Sequence, residues 1–271
     1  MATERLPSPE KPPSSPEGSG ASAKARLRAA YFLYFAGISW LAAVLLAKPA
    51  TGNPRAACLQ TRETVGRHSR NYLIRLAKMN CVHCEFIGFE DARAWRSSII
   101  CPNHPSILDA IFLFQQFPQA GCVVGINPWR HPLLSIPSRR AMYIPVHPAL
   151  GMVKKSRQLL EDGGNMIVFP EGTRTPEGAL GTFHDGFALA AIKAGATVRT
   201  VFIECSSMFL GKKFDFTGRT RLPIHFRIST GGVFHPAPTE DARVFSNSLE
   251  DYFRGRLRRV GDRISRVEPL L

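Results

Sequence analysis

The sequence predicts an α/β fold, in which a mixed, largely parallel sheet is flanked by helices and preceded by an N-terminal membrane-associated helical segment. Beyond residue 85, short apolar runs alternate with helical stretches, and this alternation is typical of sheets with substantial parallel pairing. The chain has 271 residues, 44% of them hydrophobic. That length suffices for one sizeable domain with appendages, so we expect one domain and not two.

The elements of the predicted domain follow one another in chain order. Apolar runs of strand length lie at Ser98 to Cys101, Gly121 to Ile126, Met166 to Phe169, Val198 to Glu204 and His225 to Ser229. Helical patterns lie between them, at Ile107 to Phe117, Val153 to Leu160 and residues 186 to 195. Strands that alternate with helices in this way usually build crossover connections between parallel neighbours.

The N-terminal region has two parts of different composition. Residues 1–23 are mostly Pro, Ser, Gly and Ala, which predicts a disordered tail because such a segment buries too little apolar surface. Residues 29–47 carry no charge, and the run is close to the ~20 residues that span a hydrocarbon core. We expect a membrane anchor; a buried core helix and a cleaved signal peptide are the alternatives.

Basic residues dominate the charge of the chain. Lys and Arg number 35 against 21 Asp and Glu, which gives a net charge of +14 and a pI near 10.0. Such a balance indicates an anionic partner: phospholipid headgroups, a phosphorylated substrate or nucleic acid. Two segments mix arginines with apolar residues at helical spacing, 56–79 and 246–271, so each is either an amphipathic helix at a membrane surface or a helix packed on the domain.

The six cysteines are scattered through ordinary or apolar segments, which favours reduced thiols over a disulfide framework. Cys81 with Cys84 and Cys101 with His104 nevertheless give two ligand pairs at a spacing typical of zinc fingers. Together with the positive charge, they leave a zinc-binding nucleic-acid module as a rival hypothesis. Cys101 continues an apolar strand, as a small buried residue would, which argues against that rival.

The chemistry-bearing residues begin with the segment Asn103-His104-Pro105-Ser106-Ile107-Leu108-Asp109, between a predicted strand and a predicted helix. Pro105 and Ser106 suit a helix start, so His104 is expected at the strand-to-helix turn and Asp109 just over one turn inside. An aspartate in contact with the imidazole would fix its tautomer and stabilise the imidazolium. Without an enzyme nucleophile, such a pair can deprotonate the hydroxyl of a bound substrate.

A second polar segment, Phe169-Pro170-Glu171-Gly172-Thr173-Arg174, follows the apolar run at Met166. Ligands of open α/β sheets bind at the carboxyl ends of strands, so this turn predicts a binding pocket. Arg174 could hold a phosphate or carboxylate through its guanidinium fork, and Gly172 would allow close backbone approach. A turn with a surface salt bridge is the alternative.

Taken together, NHPSILD and FPEGTRT resemble the glycerolipid acyltransferase family, typified by 1-acylglycerol-3-phosphate acyltransferases, over roughly residues 85 to 235. The resemblance implies transfer of a fatty acyl group from acyl-CoA or acyl carrier protein to a lysophospholipid hydroxyl in phospholipid biosynthesis. It makes His104 the base and Asp109 its support, and it assigns Glu171, Gly172, Thr173 and Arg174 to the acceptor. No metal, no cofactor and no nucleic-acid partner are implied.

Composition and periodicity, together with the resemblance, divide the chain into parts; the tail, the anchor and the C-terminal segment lie outside the resemblance. The expected parts are a tail at 1–23, a membrane-associated helical region at 24–84, a catalytic domain at 85–245 and a basic amphipathic C-terminal helix at 246–271. We expect a membrane location on an anionic surface, with the catalytic domain on the cytoplasmic face.

Because of two departures from the family pattern, the sequence does not identify the acceptor. The segment from Tyr143 to Pro148 lacks the basic residue that phosphoglycerol acylators usually carry between the two motifs, and the strand at Val198 to Val201 contains Arg199. Arg130 is a candidate to supply the missing charge, as are Arg139 and Arg140. The alternative is O-acylation of a different lipid or of a secondary-metabolite acceptor.

Overall fold

The computed structural model describes residues 51–175, 180–206 and 222–267, with side chains as far as residue 258, and isolated positions between 37 and 49. The predicted tail and most of the apolar run at 29–47 lie outside the described residues. Within those described, no helix combines the length and the apolar character that a membrane crossing requires.

Seven strands of the described residues form one sheet, in the order β1-β7-β6-β2-β5-β3-β4. Their bounds are Val82–Ile87 for β1, Ser98–Pro102 for β2, Gly121–Val124 for β3, Ile144–Pro145 for β4, Met166–Ile167 for β5, Thr197–Cys205 for β6 and Ile224–Phe234 for β7. Every neighbouring pair is parallel except β6 with β7, which is antiparallel. The predicted mixed, largely parallel sheet is therefore confirmed.

Helices cover both faces of this sheet. They are α1 Pro54–Lys78, α2 Asp109–Gln116, α3 Ile126–Arg130, α4 Ser135–Arg140, α5 Ala149–Glu161, α6 Gly186–Ala194 and α7 Ala242–Val267. The buried side chains of α1 and α2 share one apolar cluster with the inner residues of β1 and β7. Those of α5, α6 and α7 share a second cluster with β2 and β6. The central strands are thus buried from both sides, as parallel sheets usually are.

Helix α1 belongs to the folded domain. Tyr72, Leu73 and Leu76 are buried in the first cluster, so the segment 56–79 packs on the domain. Arg62 is only 6% exposed, and its guanidinium donates to the carbonyl oxygens of Ala141 at 2.8 Å and Gln119 at 3.2 Å. The expected boundary at residue 84 lies inside β1, which pairs with β7 along six residues.

The C-terminal helix also begins earlier than predicted. Helix α7 starts at Ala242, not at residue 246, because Asp241 caps it: its carboxylate accepts from the backbone N–H groups of residues 243 and 244 at 2.8 and 2.9 Å. Phe245, Leu249 and Phe253 are buried in the second cluster. The first three turns of the helix are therefore part of the core of the fold.

The zinc-finger hypothesis fails on strand order. Cys81 and Cys84 lie at β1, whereas Cys101 and His104 lie at β2, and β7 and β6 stand between those two strands. Three strand spacings amount to about 14 Å, far beyond a shared metal ion. Burial, with the nearby Glu171 carboxylate, also raises the pKa of the Cys101 thiol.

Candidate active site

The site lies where the direction of the sheet's connections reverses. Strands β2 and β5 are parallel neighbours, with Ile100 opposite Ile167. After β2 the chain crosses to β3 on one side, and after β5 it crosses to β6 on the other. The two connections leave a crevice outside the carboxyl ends of these strands, which is where open α/β sheets bind ligands. Both polar segments identified in the sequence begin there.

His104 and Asp109 are in direct contact. The Nδ1 atom of His104 lies 2.7 Å from Oδ2 of Asp109, across the turn that joins β2 to α2. Asp109 is the first residue of α2, where the helix dipole also favours a negative charge. The five-residue separation thus places the carboxylate one turn beyond the imidazole, as the sequence predicted.

Asp109 is completely buried, and Ser106 satisfies its remaining lone pairs. The backbone N–H of Ser106 donates to Oδ2 at 2.7 Å and the hydroxyl donates to Oδ1 at 2.8 Å. Burial raises the pKa of Asp109, while the His104 contact and the two Ser106 hydrogen bonds lower it. Because both oxygens already accept hydrogen bonds, the Nδ1 atom of His104 carries the proton of their shared bond.

The opposite nitrogen of His104 faces outward. The ring lies against Phe169, with centroids 4.1 Å apart and planes 29° from parallel. Its side chain is 20% exposed, and Nε2 has no hydrogen-bond partner among the described residues. A neutral imidazole held in this tautomer presents a lone pair to the crevice, so it can accept a proton from a bound hydroxyl.

Asn103 fixes the backbone just before His104, a role that the sequence analysis missed. Its side chain is 3% exposed, and it forms two hydrogen bonds to the backbone of Ile203 on β6, one accepted at 2.8 Å and one donated at 2.9 Å. The amide thereby continues the β2–β6 pairing past the end of β2. This pair of hydrogen bonds could not be predicted from local sequence patterns, because the partner, Ile203, lies one hundred residues away.

The carboxylate of Glu171 accepts hydrogen bonds from two backbone N–H groups and one hydroxyl. Only 3% of the residue is exposed, and its carboxylate accepts from the N–H of His104 at 3.0 Å, the N–H of Gly181 at 2.8 Å and the hydroxyl of Thr175 at 2.7 Å. The N–H of Thr175 donates to the carbonyl of His104 at 2.7 Å. The turn after β5 is therefore tied directly to the residue that bears the imidazole.

The other predicted binding residues occupy the same edge of the sheet. Gly172 has φ +64, and a Cβ there would lie 3.0 Å from the ring of His184, so the turn disfavours a larger residue at this position. Thr173 is exposed and Arg174 half-buried on this turn. Arg130 is exposed at the end of α3, which follows β3. The structure brings together His104, Asp109 and the turn, whereas Arg130 makes no hydrogen bond or ion pair with a described residue.

A wide cavity of about 1700 Å³ opens elsewhere, along α1 and the amino ends of the strands. Its lining includes Arg55, Arg67 and Arg96, but neither His104 nor Glu171. The crevice beside His104 is thus distinct from this groove.

A comparison with known protein families matches the part of the chain that carries both polar segments of the site. The family model described as Acyltransferase matches residues 83–204, a span that contains both His104 and Arg174. Over this span the chain is similar to the glycerolipid acyltransferase family. The match begins inside β1 and ends inside β6, so the family's shared region covers the part of the sheet that builds the crevice.

Two relatives place the chain within the family. A chloroplastic 1-acyl-sn-glycerol-3-phosphate acyltransferase of Arabidopsis thaliana is 26% identical over 189 residues, which is 64% of this chain and 50% of that protein. The chain thus spans about half the length of this curated relative. The crystal structure of the 1-acyl-sn-glycerophosphate acyltransferase PlsC from Thermotoga maritima has a TM-score of 0.64 at 17% identity, and the match covers 88% of this chain and 98% of that one. The fold is therefore shared.

Proposed function

We propose that this acyltransferase moves a fatty acyl group from acyl-CoA or acyl carrier protein to the hydroxyl of a lysophospholipid, with 1-acylglycerol-3-phosphate as the acceptor. The contact of 2.7 Å between His104 and the buried Asp109 carries the proposal. It supplies a general base of fixed tautomer, and no described serine or cysteine forms a hydrogen bond to Nε2 that would make an enzyme nucleophile. The nucleophile is then the acceptor's own hydroxyl.

The reaction takes place in one step within a complex of enzyme, donor and acceptor. Nε2 of His104 accepts the proton of the acceptor hydroxyl, and the oxygen attacks the thioester carbonyl carbon. The new C–O bond forms as the C–S bond breaks, and the departing thiolate takes its proton from the imidazolium. Asp109 stabilises the imidazolium during this exchange. The step needs no metal or cofactor.

Arg174 is the residue that we assign to the acceptor headgroup, with Gly172 and Thr173 on the same exposed turn. A guanidinium fork matches the oxygens of a phosphate, and the contact is charge-assisted. Glu171, which the sequence grouped with the acceptor contacts, has a different place: its carboxylate is engaged by two backbone N–H groups and a hydroxyl. We therefore assign Glu171 to positioning the turn and His104. Arg130 remains a candidate for a second phosphate contact.

An acceptor without phosphate is the second candidate, and a specific observation favours it. The segment that lacks the family's usual basic residue begins at Tyr143, which is 7% exposed and stacked on Phe114 with ring centroids 5.4 Å apart. Burial raises the pKa of Tyr143, so this position contributes an apolar contact and no charge. A neutral or zwitterionic acceptor would need less positive charge at the crevice.

A membrane location accords with an acyl acceptor that resides in a bilayer. The uncharged run at 29–47 is the proposed anchor, and the net charge of +14 suits an anionic leaflet. We place the catalytic domain on the cytoplasmic face of that membrane, in keeping with reduced cysteines.

Purified full-length protein tested with both donors against 1-acylglycerol-3-phosphate and its dephosphorylated counterpart decides between these candidates. We expect acyl transfer to the phosphorylated acceptor and none in the His104→Ala variant. Transfer to the neutral lipid alone would favour the second candidate. Absence of transfer from either donor to any lysolipid would overturn the proposed function.

A further inference from the structure

Helix α7 packs on the fold through apolar side chains, but a carboxylate lies in the same interface. Phe245, Leu249 and Phe253 are buried in the second cluster. The side chain of Glu250, on the same helix, is only 14% exposed. Burial of a carboxylate costs free energy unless hydrogen bonds replace the lost water, and an apolar residue would pack there without that cost. Packing alone therefore does not explain Glu250.

The two oxygens of this carboxylate have different partners. Oε2 accepts from the backbone N–H of Phe183 at 2.8 Å, within the segment 180–185 that precedes α6. Oε1 accepts from Nε and Nη2 of Arg254, one turn further along α7, at 3.0 and 2.6 Å. Arg254 thus holds the carboxylate in one orientation and leaves Oε2 for the amide. Because Phe183 is only 4% exposed, its N–H needs an acceptor within the protein.

The ring of Phe183 is held by the same helix. It lies edge-to-face against Phe253 of α7, with ring centroids 5.3 Å apart, and against Phe187 of α6 at 6.5 Å. Both the amide and the side chain of one residue are therefore fixed by α7. This leaves the segment 180–185 little freedom to shift along the helix.

The segment also contacts the turn after β5. The N–H of Gly181 donates to Oε2 of Glu171 at 2.8 Å, and the N–H of His184 donates to the carbonyl oxygen of Pro170 at 2.9 Å. A Cβ at Gly181 would lie 2.8 Å from the same carboxylate oxygen, so glycine is what allows this close approach. Glu171 in turn accepts from the N–H of His104 at 3.0 Å. Contacts therefore lead from α7, through one segment and one turn, to the backbone of the proposed base.

We infer that Glu250 is a positioning residue for the reaction: it fixes the segment 180–185, and this segment fixes the Glu171 carboxylate that holds the backbone of His104. Helix α7 in this way contributes to the active centre, although it lies outside residues 83–204, where the family model matches. Arg254 contributes by orienting the carboxylate. The inference rests on the proposed function in taking acyl transfer as the reaction that His104 serves.

Two substitutions separate the hydrogen bond from the charge. Glu250→Asp keeps the charge but withdraws the carboxylate from the Phe183 N–H by the length of one methylene group. Glu250→Gln removes the charge but keeps an oxygen that can accept this N–H, while Arg254, which is 35% exposed, can turn to solvent. We expect kcat to fall about tenfold in Glu250→Asp and to stay within about threefold of the parent in Glu250→Gln.

The matched control for both variants is Glu161→Ala on α5. It breaks an ion pair of the same i,i+4 spacing, with Arg157 at 2.7 Å, on an exposed face of the fold. Its kcat should equal that of the parent. A Glu250→Asp enzyme with the parent's kcat, or one more active than Glu250→Gln, would overturn the inference.

A double-mutant cycle tests whether Glu250 acts through Glu171. Glu250→Asp should lower kcat about tenfold in the parent and less than about threefold in the Glu171→Gln background, because the second substitution disrupts the contact through which the first acts. Losses that multiply in the double variant would contradict the inference.

A measurement without turnover separates this inference from the proposed function. In the full chain labelled with ¹⁵N-histidine, the amide resonance of His104, identified by its loss in His104→Ala, reports the hydrogen bond to Glu171. Its chemical shift should move in Glu250→Asp and stay unchanged in Glu161→Ala. An unchanged shift in Glu250→Asp would overturn the inference even in an active enzyme. If the shift moves as expected but the parent transfers no acyl group, the proposed function alone fails.

Discussion

The turns after β2 and β5 each bury a carboxylate beside His104, yet the two carboxylates are satisfied by different partners. Asp109 contacts the imidazole itself, whereas Glu171 contacts the backbone N–H of the same residue. Neither residue is more than 3% exposed, so burial does not distinguish them. What differs is the partner: Asp109 accepts from an imidazole, whereas Glu171 accepts from backbone N–H groups and the hydroxyl of Thr175. In the mechanism that we propose, Asp109 therefore supports the base, and Glu171 holds the turn in place.

The largest expected effect comes from the base on which both turns converge. His104→Ala should lower kcat by about 10⁴-fold, because it removes the group that deprotonates the acceptor. The folded state should persist, since the side chain is partly exposed. Initial rates and circular dichroism measure the two quantities, with His83→Ala on the exposed face of β1 as the matched control. A His104→Ala enzyme within tenfold of the parent would remove the base from the mechanism.

The second-largest effect is expected from Asp109→Asn, which should lower kcat on the order of 10³-fold. An amide is nearly isosteric, but it cannot stabilise the imidazolium, and its NH₂ group can be oriented toward Nδ1 and favour the wrong tautomer. The measurement is kcat at saturating donor and acceptor. Asp185→Asn, a substitution of a half-exposed aspartate at the start of α6, is the control and should leave kcat unchanged. Turnover near the parent's would dissociate Asp109 from catalysis.

Glu171→Gln should alter stability as well as rate, which makes it the sharpest contrast with Asp109→Asn. The amide can replace one acceptor oxygen but sets its NH₂ group against a donor of the turn, so the free energy of unfolding should fall by about 1–3 kcal/mol. Denaturant titration measures the change, and Glu161→Gln on exposed α5 is the control. If Glu171→Gln preserves stability and raises only the KM for the acceptor, Glu171 binds substrate instead of bracing the turn.

The smallest effect is expected from Arg174→Lys, which keeps the charge and loses the planar fork. With a phosphorylated acceptor, loss of a charge-assisted hydrogen bond should cost about 1.5–3 kcal/mol, roughly tenfold to a hundredfold in kcat/KM. The KM for the donor should move much less. Arg157→Lys, on the exposed side of α5, is the control. Equal losses with phosphorylated and unphosphorylated acceptors would defeat the headgroup assignment.

The sequence predicted the parts of this site that depend on local order along the chain. The strand-to-helix turn at His104 and the mixed sheet both follow from short-range patterns. The bidentate bonds of Asn103 to Ile203 and the contacts of Glu171 with Gly181 depend on how distant segments meet, which periodicity does not encode. For the same reason, the sequence groups Glu171 with substrate contacts, although in the structure its carboxylate accepts from two backbone N–H groups and the hydroxyl of Thr175.

The sequence analysis also did not predict the shortest strands and helices or the strand at the edge of the sheet. The sequence analysis predicts no strand at β1, because exposed residues such as His83 and Glu85 interrupt the apolar run. An edge strand needs only one buried face. The two-residue strand β4 and the helices α3 and α4 are shorter than any reliable periodicity. For helix α1 the sequence does not distinguish a helix at a membrane surface from one packed on the domain, since a mixture of arginines and apolar residues fits both environments.

A double-mutant cycle between His104 and Asp109 tests the central claim most directly, namely that the two residues act as one catalytic unit. We expect Asp109→Asn to lower kcat on the order of 10³-fold in the parent and to change nothing further in the His104→Ala background, because residues that act as a unit are strongly non-additive. Glu171→Gln should lower the free energy of unfolding equally in both backgrounds. Losses of Asp109→Asn and His104→Ala that multiply in the double variant would contradict the account.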